Sequence, residues 1–475
     1  VVLALVGLTG NDAWTDEAVS VSATVQLREV LDRTSGTMAS YYVVLDRWIT
    51  VSASLWWLRL LSVVFAAAGV ALTGALAMRL RNRQVAMWAC LLAGGSFMLV
   101  RYAREVRSFA MVVAVVTVAW LVLDRIVEQP RGWRWPAGHA ALAVLAPLTH
   151  GLAVFPVLVQ AAALVVARAP RQVWVRVLPG LGLSVAVVGT LYQAGASEVG
   201  AGTPLSAARA QEVALRLVGG LRWPPGWPVD VRWVLGAAAV YGLVLATRRT
   251  VRATDVVGRF RAAAPAVWAV GTIGALIALS AVRPNLLERY AIAAVPALAI
   301  LQADAALHLQ AWVRRVLRVP RRWSAVPVVP ALVLVVVLFA QVPLHRDYRT
   351  PWSDAVVVLE QRARDGDALV VPRPGGRLML DYAWSRHAGP LPELVPLGPT
   401  HPVGRVERYG SRTSLDDMLA AAADHERVWV LRVELSDGDP FYRDARYHPS
   451  LAWNFEAVEE HQFPGAALVL MERRS

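Results

Sequence analysis

Val1-Val2-Leu3-Ala4-Leu5-Val6-Gly7-Leu8-Thr9-Gly10 runs through Asn11-Asp12-Ala13-Trp14-Thr15 onto Asp16-Glu17, an apolar segment that ends at an adjacent acidic pair. Carboxylates at a bilayer margin are expensive to keep dry, and they persist there where chemistry or a transport pathway needs them. The apolar part, Val1 to Gly10, covers about 15 Å of helix, half of the roughly 30 Å hydrocarbon core. It reads as a first transmembrane helix that lacks its cytoplasmic half. A cleaved signal peptide fits less well, because no cleavage region is visible.

Composition fits that start. Of 475 residues, 56% are hydrophobic and 17% charged, against roughly 25% charged in soluble domains. The formal charge is +13, and all 48 basic residues are arginine. Many fall in short loops between apolar runs, which is the positive-inside pattern and not a phosphate-binding stripe, so no nucleic-acid partner is expected. The lack of lysine, with richness in Ala, Val, Arg, Gly and Pro, points to a high-GC, actinobacterial source. Cys90, the single cysteine, lies inside an apolar run and excludes an intramolecular disulfide.

A ruler of about 20 apolar residues per crossing gives the partial span at 1–10 and further spans near 58–78, 84–100, 108–124, 137–150, 151–167, 177–194, 231–247, 264–281, 290–309 and 324–342. Loops carrying Arg79, Arg81 and Arg83, Arg125 to Arg134, Arg168 to Arg176, Arg248 to Arg261 and Arg314 to Arg322 hold few acids and are placed in the cytoplasm. The alternate loops carry mixed charge and are placed outside. The expected fold is therefore a polytopic all-α membrane domain, residues 1–344, with about eleven transmembrane helices of which the first is truncated. A small extracytoplasmic α/β domain, residues 345–475, follows. Its helices are expected near 351–364, 376–386 and 414–425, and its strands near 366–371, 428–433 and 467–471. Outer loops 11–57 and 195–230, with helices at 18–32, 41–51 and 204–221, have the size of lids. No Walker loop, dinucleotide fingerprint or zinc-spaced Cys/His set is present.

Four outer-face motifs carry the chemistry: Trp14-Thr15-Asp16-Glu17-Ala18, Arg101-Tyr102-Ala103-Arg104-Glu105-Val106-Arg107-Ser108-Phe109-Ala110, Thr149-His150-Gly151, and Arg283-Pro284-Asn285-Leu286-Leu287-Glu288-Arg289-Tyr290. In order and spacing they resemble the GT-C glycosyltransferases, in the branch of protein O-mannosyltransferases and lipid A aminoarabinose transferases. Leu58-Arg59-Leu60-Leu61-Ser62 also looks like that family. The resemblance implies an integral membrane enzyme of the plasma membrane. It would transfer a sugar from a polyprenyl-phosphate donor to a glycan, glycolipid or protein acceptor on the outer face. It also implies that Asp16, the first acid of the pair, is the general base.

The residue types suit that reaction on their own. Inverting transfer to a hydroxyl needs a carboxylate to take the acceptor proton, with Glu17 orienting the acceptor or the loop. A lipid phosphate leaving group calls for fixed cations, and the planar guanidinium stays protonated when partly dehydrated. Arg104 and Arg107 on one side, and Arg283 and Arg289 on the other, are the expected phosphate clamp. Tyr102, His150 and Tyr290 are expected hydrogen-bond donors to phosphate or sugar. No cofactor and no metal are expected, since no DxD-type motif appears. Plainer readings compete: Asp16 and Glu17 as a helix N-cap pair, Arg104 and Arg107 as snorkelling interfacial residues, and Arg283 and Arg289 as partners of Glu288. Arg101, His139, His308 and Cys90 are read as structural. The alternative function is a transporter or lipid flippase, which would place ionisable groups near the bilayer midplane.

Overall fold

The structure, a computed structural model, describes residues 2–6, 8, 12–25, 27–28, 36–195, 205–220, 230–283, 286–318, 327–341, 351–371, 374–397, 422, 424–433 and 454–474. Contacts divide the chain into two compact units. One comprises Val1–Leu8 and Arg28–Arg346, the other Thr9–Leu27 and Asp347–Ser475.

The first unit is helical. A helix occupies the place of every expected span, from the short Val2–Leu5 turn to Val328–Phe339. Among the described residues, six helices are long and apolar enough to cross a bilayer, or seven if the bent pair Arg83–Gly95 and Phe97–Ala103 is one span. That pair breaks by 55° at Ser96. Gly151–Ala167 and Val328–Phe339 are shorter apolar helices. Phe109–Glu128 and Glu288–Val316 have 83% of their apolar windows buried. A helix apolar on every side belongs in the middle of a bundle, and these two form its core.

Local chemistry sets the element ends. Leu55–Leu80 starts at Ser54, whose side chain accepts the Trp57 N–H, and Arg83–Gly95 starts at Asn82, which accepts from Val85. The helix expected near 41–51 is Ala39–Ile49; it buries Tyr41, Tyr42 and Leu45, and Ser40 hydrogen-bonds Thr149 across 2.8 Å. Its end is locked by a stacked pair, Trp48 and Trp57, with centroids 4.4 Å apart. Each indole N–H donates to the other's carbonyl, at 2.7 and 2.9 Å. Gly242 lets its helix press onto the Leu301 carbonyl, where a Cβ would collide.

At the C-terminal end of Phe109–Glu128, several arginines from the acid-poor loops find acids across helices. Buried Asp124 accepts from Arg79 Nε (2.6 Å) and Arg261 Nε (2.8 Å), and Glu128 pairs with the same two arginines at 2.7 Å each. Asp304, also buried, takes Arg81 at 3.1 Å and Arg249. Asp255 caps its own helix by accepting from Gly258. Part of the arginine excess thus serves to staple helices.

The second unit is α/β. Its sheet has the order β2-β1-β3-β5-β4, with β1 Ala368–Val370, β2 Val395–Leu397, β3 Arg427–Val433, β4 Phe455–Phe463 and β5 Ala466–Arg473. β1 runs parallel to β2 and β3, while β5 is antiparallel to β3 and β4. Ala368, Val370, Val428, Val430, Val469 and Met471 share one core with Phe455. Helices Trp352–Arg362 and Pro374–Arg386 pack together. The Thr15–Val25 helix belongs to this unit: it packs on Pro374–Arg386, and Asp12 Oδ2 accepts from both the Ser353 N–H and hydroxyl at 2.7 Å. Most of the expected helix at 414–425 lies outside the described residues, as do Arg321 and Arg322.

Candidate functional site

In the helical unit, the site is built where Phe97–Ala103 stops. The Arg104 N–H turns back to the Arg101 carbonyl (3.1 Å) and the Arg107 N–H to the Glu105 carbonyl (2.8 Å), so the chain reverses before Phe109–Glu128 begins. The Ser62 hydroxyl holds the Arg107 carbonyl at 3.3 Å. Glu105 and Ser108 are buried in this turn, with Arg101 Nε 3.8 Å from Glu105.

From that turn a chain of rings crosses to two other segments. The Tyr102 ring lies 4.8 Å from Phe109, Phe109 lies 5.4 Å from His150, and His150 lies 5.3 Å from Tyr290. A guanidinium closes each side: Arg107 stands 5.9 Å from the Phe109 centroid and Arg289 stands 5.5 Å from that of Tyr290. Tyr102, Arg107, His150, Arg289 and Tyr290, spread over nearly 190 positions of sequence, therefore meet at one end of the bundle. Arg104 sits in the same reversal, as the C-cap of Phe97–Ala103. Arg283 caps Val256–Val282 and stacks on Tyr192, 5.4 Å from its centroid. The Asp124 ion-pair cluster lies toward the other end of Phe109–Glu128, about 23 Å along the helix from Phe109.

His150 is a C-cap in extended conformation between two helices, and its Nδ1 accepts the Leu152 N–H at 3.3 Å. An accepting Nδ1 places the ring proton of a neutral imidazole on Nε2. Burial, followed by the charges of Arg107 and Arg289, holds its pKa down at about 3. His150 is thus a neutral Nε2–H donor beside two cations, not a third cation.

Two participants were not assigned from sequence. Phe109 is the ring on which Tyr102, Arg107 and His150 all converge; it was quoted within its motif but carries no polar group to mark it. Glu288 pairs with Arg216 of the Ala207–Gly219 helix (3.3 Å), and Arg216 is also held by Glu212 at 2.9 Å. Glu212 in turn meets Arg232 at 3.0 Å. The i,i+4 spacing of Glu212 and Arg216 was the available signal.

In the α/β unit, Asp16 and Glu17 occupy the first turn of Thr15–Val25. Glu17 is buried, and its Oε2 accepts the Trp14 N–H at 3.3 Å. This is the reach-back half of a capping box, with the carboxylate at the third helical position. Asp16 is half-buried, and its carbonyl accepts the Ser20 hydroxyl at 2.9 Å. Among the described residues, no group of three or more His, Cys, Asp or Glu side chains is placed to hold a metal ion.

Comparison with family models finds no match, and neither does comparison with curated proteins. Among solved structures, the chain is similar to ArnT from Cupriavidus metallidurans in the apo state, at 13% identity and a TM-score of 0.62, covering 99% of this chain and 96% of that one. It is also similar to ArnT from the same organism bound to undecaprenyl phosphate, at 15% identity and a TM-score of 0.56, with the same coverage. The chain has the ArnT fold over nearly its whole length, the fold that the GT-C resemblance in its motifs implies.

Proposed function

We propose that the chain is a multi-pass membrane glycosyltransferase that moves a sugar from a polyprenyl-phosphate donor to an acceptor hydroxyl on the outer face of the membrane. The observation that carries this reading is the convergence of Arg107 and Arg289 on a neutral His150 and the rings of Phe109 and Tyr290 at one end of the bundle. Two fixed cations beside hydrogen-bond donors suit a phosphate monoester or diester whose charge grows as a bond breaks. The solved ArnT bound to undecaprenyl phosphate supports the same class of lipid donor here.

In the proposed step, the acceptor oxygen forms a bond to the sugar C1 while the bond from C1 to the phosphate oxygen breaks. Asp16 takes the acceptor proton, and the electron pair leaves on the lipid phosphate, where Arg104, Arg107, Arg283 and Arg289 meet it. Tyr102, Tyr290 and His150 Nε2–H donate to phosphate or sugar oxygens. Glu17, by capping Trp14, holds the turn on which Asp16 sits. The proposal includes eleven crossings, a cytoplasmic Asp124 and Asp304 end, and an extracytoplasmic α/β unit.

The test uses the full chain in lipid nanodiscs with polyprenyl-phosphate sugars and cell-envelope acceptors. The reading expects the donor to be converted to free polyprenyl phosphate only when an acceptor is present. Uptake of a solute by proteoliposomes, without any such conversion, would instead establish the transporter.

A further inference from the structure

The α/β unit contains a pocket of about 250 Å³ that the transfer chemistry does not use. Arg377, Leu380, Asp381 and Trp384 line it from the Pro374–Arg386 helix. Their spacing of i, i+3, i+4 and i+7 puts them on one helical stripe. Leu369 of β1 and Leu380 are buried and form an apolar floor, while Glu393 stands exposed on the opposite wall.

That wall is fixed before any ligand arrives. The Glu393 N–H donates to Asp365 Oδ1 at 2.8 Å, the Gly366 N–H donates to the Glu393 carbonyl at 2.9 Å, and the Val395 N–H to the Asp367 carbonyl at 2.9 Å. On the facing stripe, Arg377 Nε bonds both oxygens of Asp381, at 2.8 and 2.9 Å, with the two side chains only 14% and 15% exposed. A void left by imperfect packing is apolar and dry. This one keeps an ion pair and a second carboxylate around an indole, and a polar lining of this kind carries a desolvation cost that simple packing does not require.

We propose that this pocket binds a neutral sugar residue of a glycan. An indole offers a flat apolar face to the C–H side of a pyranose or furanose ring. The carboxylates accept hydrogen bonds from ring hydroxyls, and the guanidinium has further N–H donors beyond the one spent on Asp381. Two carboxylates against one guanidinium leave the pocket net negative, so phosphorylated sugars and uronic acids are disfavoured. The volume falls just under the roughly 300–1,000 Å³ of sites for drug-sized ligands, which fits one sugar unit of a longer chain. Asp16 does not line the pocket, and binding here is expected unchanged in Asp16→Asn.

Saturation-transfer NMR and calorimetry on the full chain in nanodiscs, free of maltoside detergent, test this against glucose, galactose, mannose, arabinose and their short oligomers, with glucuronate and glucose 6-phosphate alongside. The expected result is binding of at least one neutral sugar and none of the two anions. Trp384→Ala should weaken that binding about tenfold or more, and Glu393→Gln by several-fold. Glu393 is exposed, so its substitution decides the matter if the tryptophan variant fails to fold. The proposal is overturned if no neutral sugar binds, if glucuronate binds equally well, or if Glu393→Gln and a folded Trp384→Ala both bind like the parent.

Discussion

Replacing Arg289 by alanine should separate the lipid phosphate from the lipid tail in a single binding experiment. Arg289 packs on Tyr290, which touches His150, while Arg107 reaches the same imidazole through Phe109. Truncation therefore removes one cation from the cluster and leaves the rest of the aromatic chain standing. A hydrogen bond to a charged group contributes roughly 1.5–3 kcal/mol, which converts to about a 10- to 150-fold rise in Kd. Arg289→Lys keeps the charge but loses the planar fork and should fall between the two. The assay is native mass spectrometry or surface plasmon resonance in nanodiscs, with a polyprenyl phosphate and the matching polyprenol as paired ligands. The polyprenol should bind wild type and variant alike, because it has no phosphate to lose. Arg83→Ala, an exposed change at the N-terminal turn of Arg83–Gly95, should leave both ligands unaffected. An unchanged ratio of phosphate to alcohol affinity in Arg289→Ala would refute the clamp.

Other perturbations follow from the same geometry. Asp124→Ala leaves Arg79 and Arg261 sharing Glu128, and breaking a buried pair costs about 3–5 kcal/mol; a melting temperature equal to wild type would show that the cluster is not a staple. Glu17→Ala should lose about 1 kcal/mol of cap and speed amide exchange across 15–25, whereas Glu17→Gln keeps an acceptor and most of the protection. The His150 imidazole is held near 3 in the fold, so the unfolded chain takes up a proton first as pH drops below its ordinary value of about 6.5. Stability from this group is then lost as pH falls from about 6.5 toward 3, at no more than about 1.4 kcal/mol per pH unit. A melting-temperature profile from pH 8 to 5 should be flatter in His150→Gln; identical profiles would show that His150 is not buried neutral.

Much of this molecule can be read from its sequence because apolar length is a strong signal. Every expected span has a helix at its place, yet the helix at the expected 324–342 span is only Val328–Phe339, and the ruler alone does not register such shortening. The string 101–110 and the Arg289-Tyr290 pair point to one cluster, and the fold brings them together through His150. Arg283 carries the same kind of charge on the same motif but stacks on Tyr192, a contact made by a distant helix that no spacing reveals. In the α/β unit, β1, β3 and β5 are apolar and were visible. β4, Phe455 to Phe463, was not, because as an edge strand it keeps Glu456, Glu459 and Glu460 along its length and lacks the alternating pattern. The arginines of the acid-poor loops carry the expected orientation in the sequence, but their pairing with Asp124 and Asp304 depends on helix packing.

Comparing donor binding with donor turnover in Asp16→Asn tests the central claim most directly. Both are measured on the same nanodisc preparation, loaded with a polyprenyl-phosphate sugar and supplied with envelope acceptor. The account predicts donor affinity within about twofold of wild type (a neutral amide leaves the cations untouched). It also predicts that release of polyprenyl phosphate falls by two orders of magnitude or more, the scale of a lost general base. Full release of polyprenyl phosphate by Asp16→Asn, with its donor affinity intact, would contradict it.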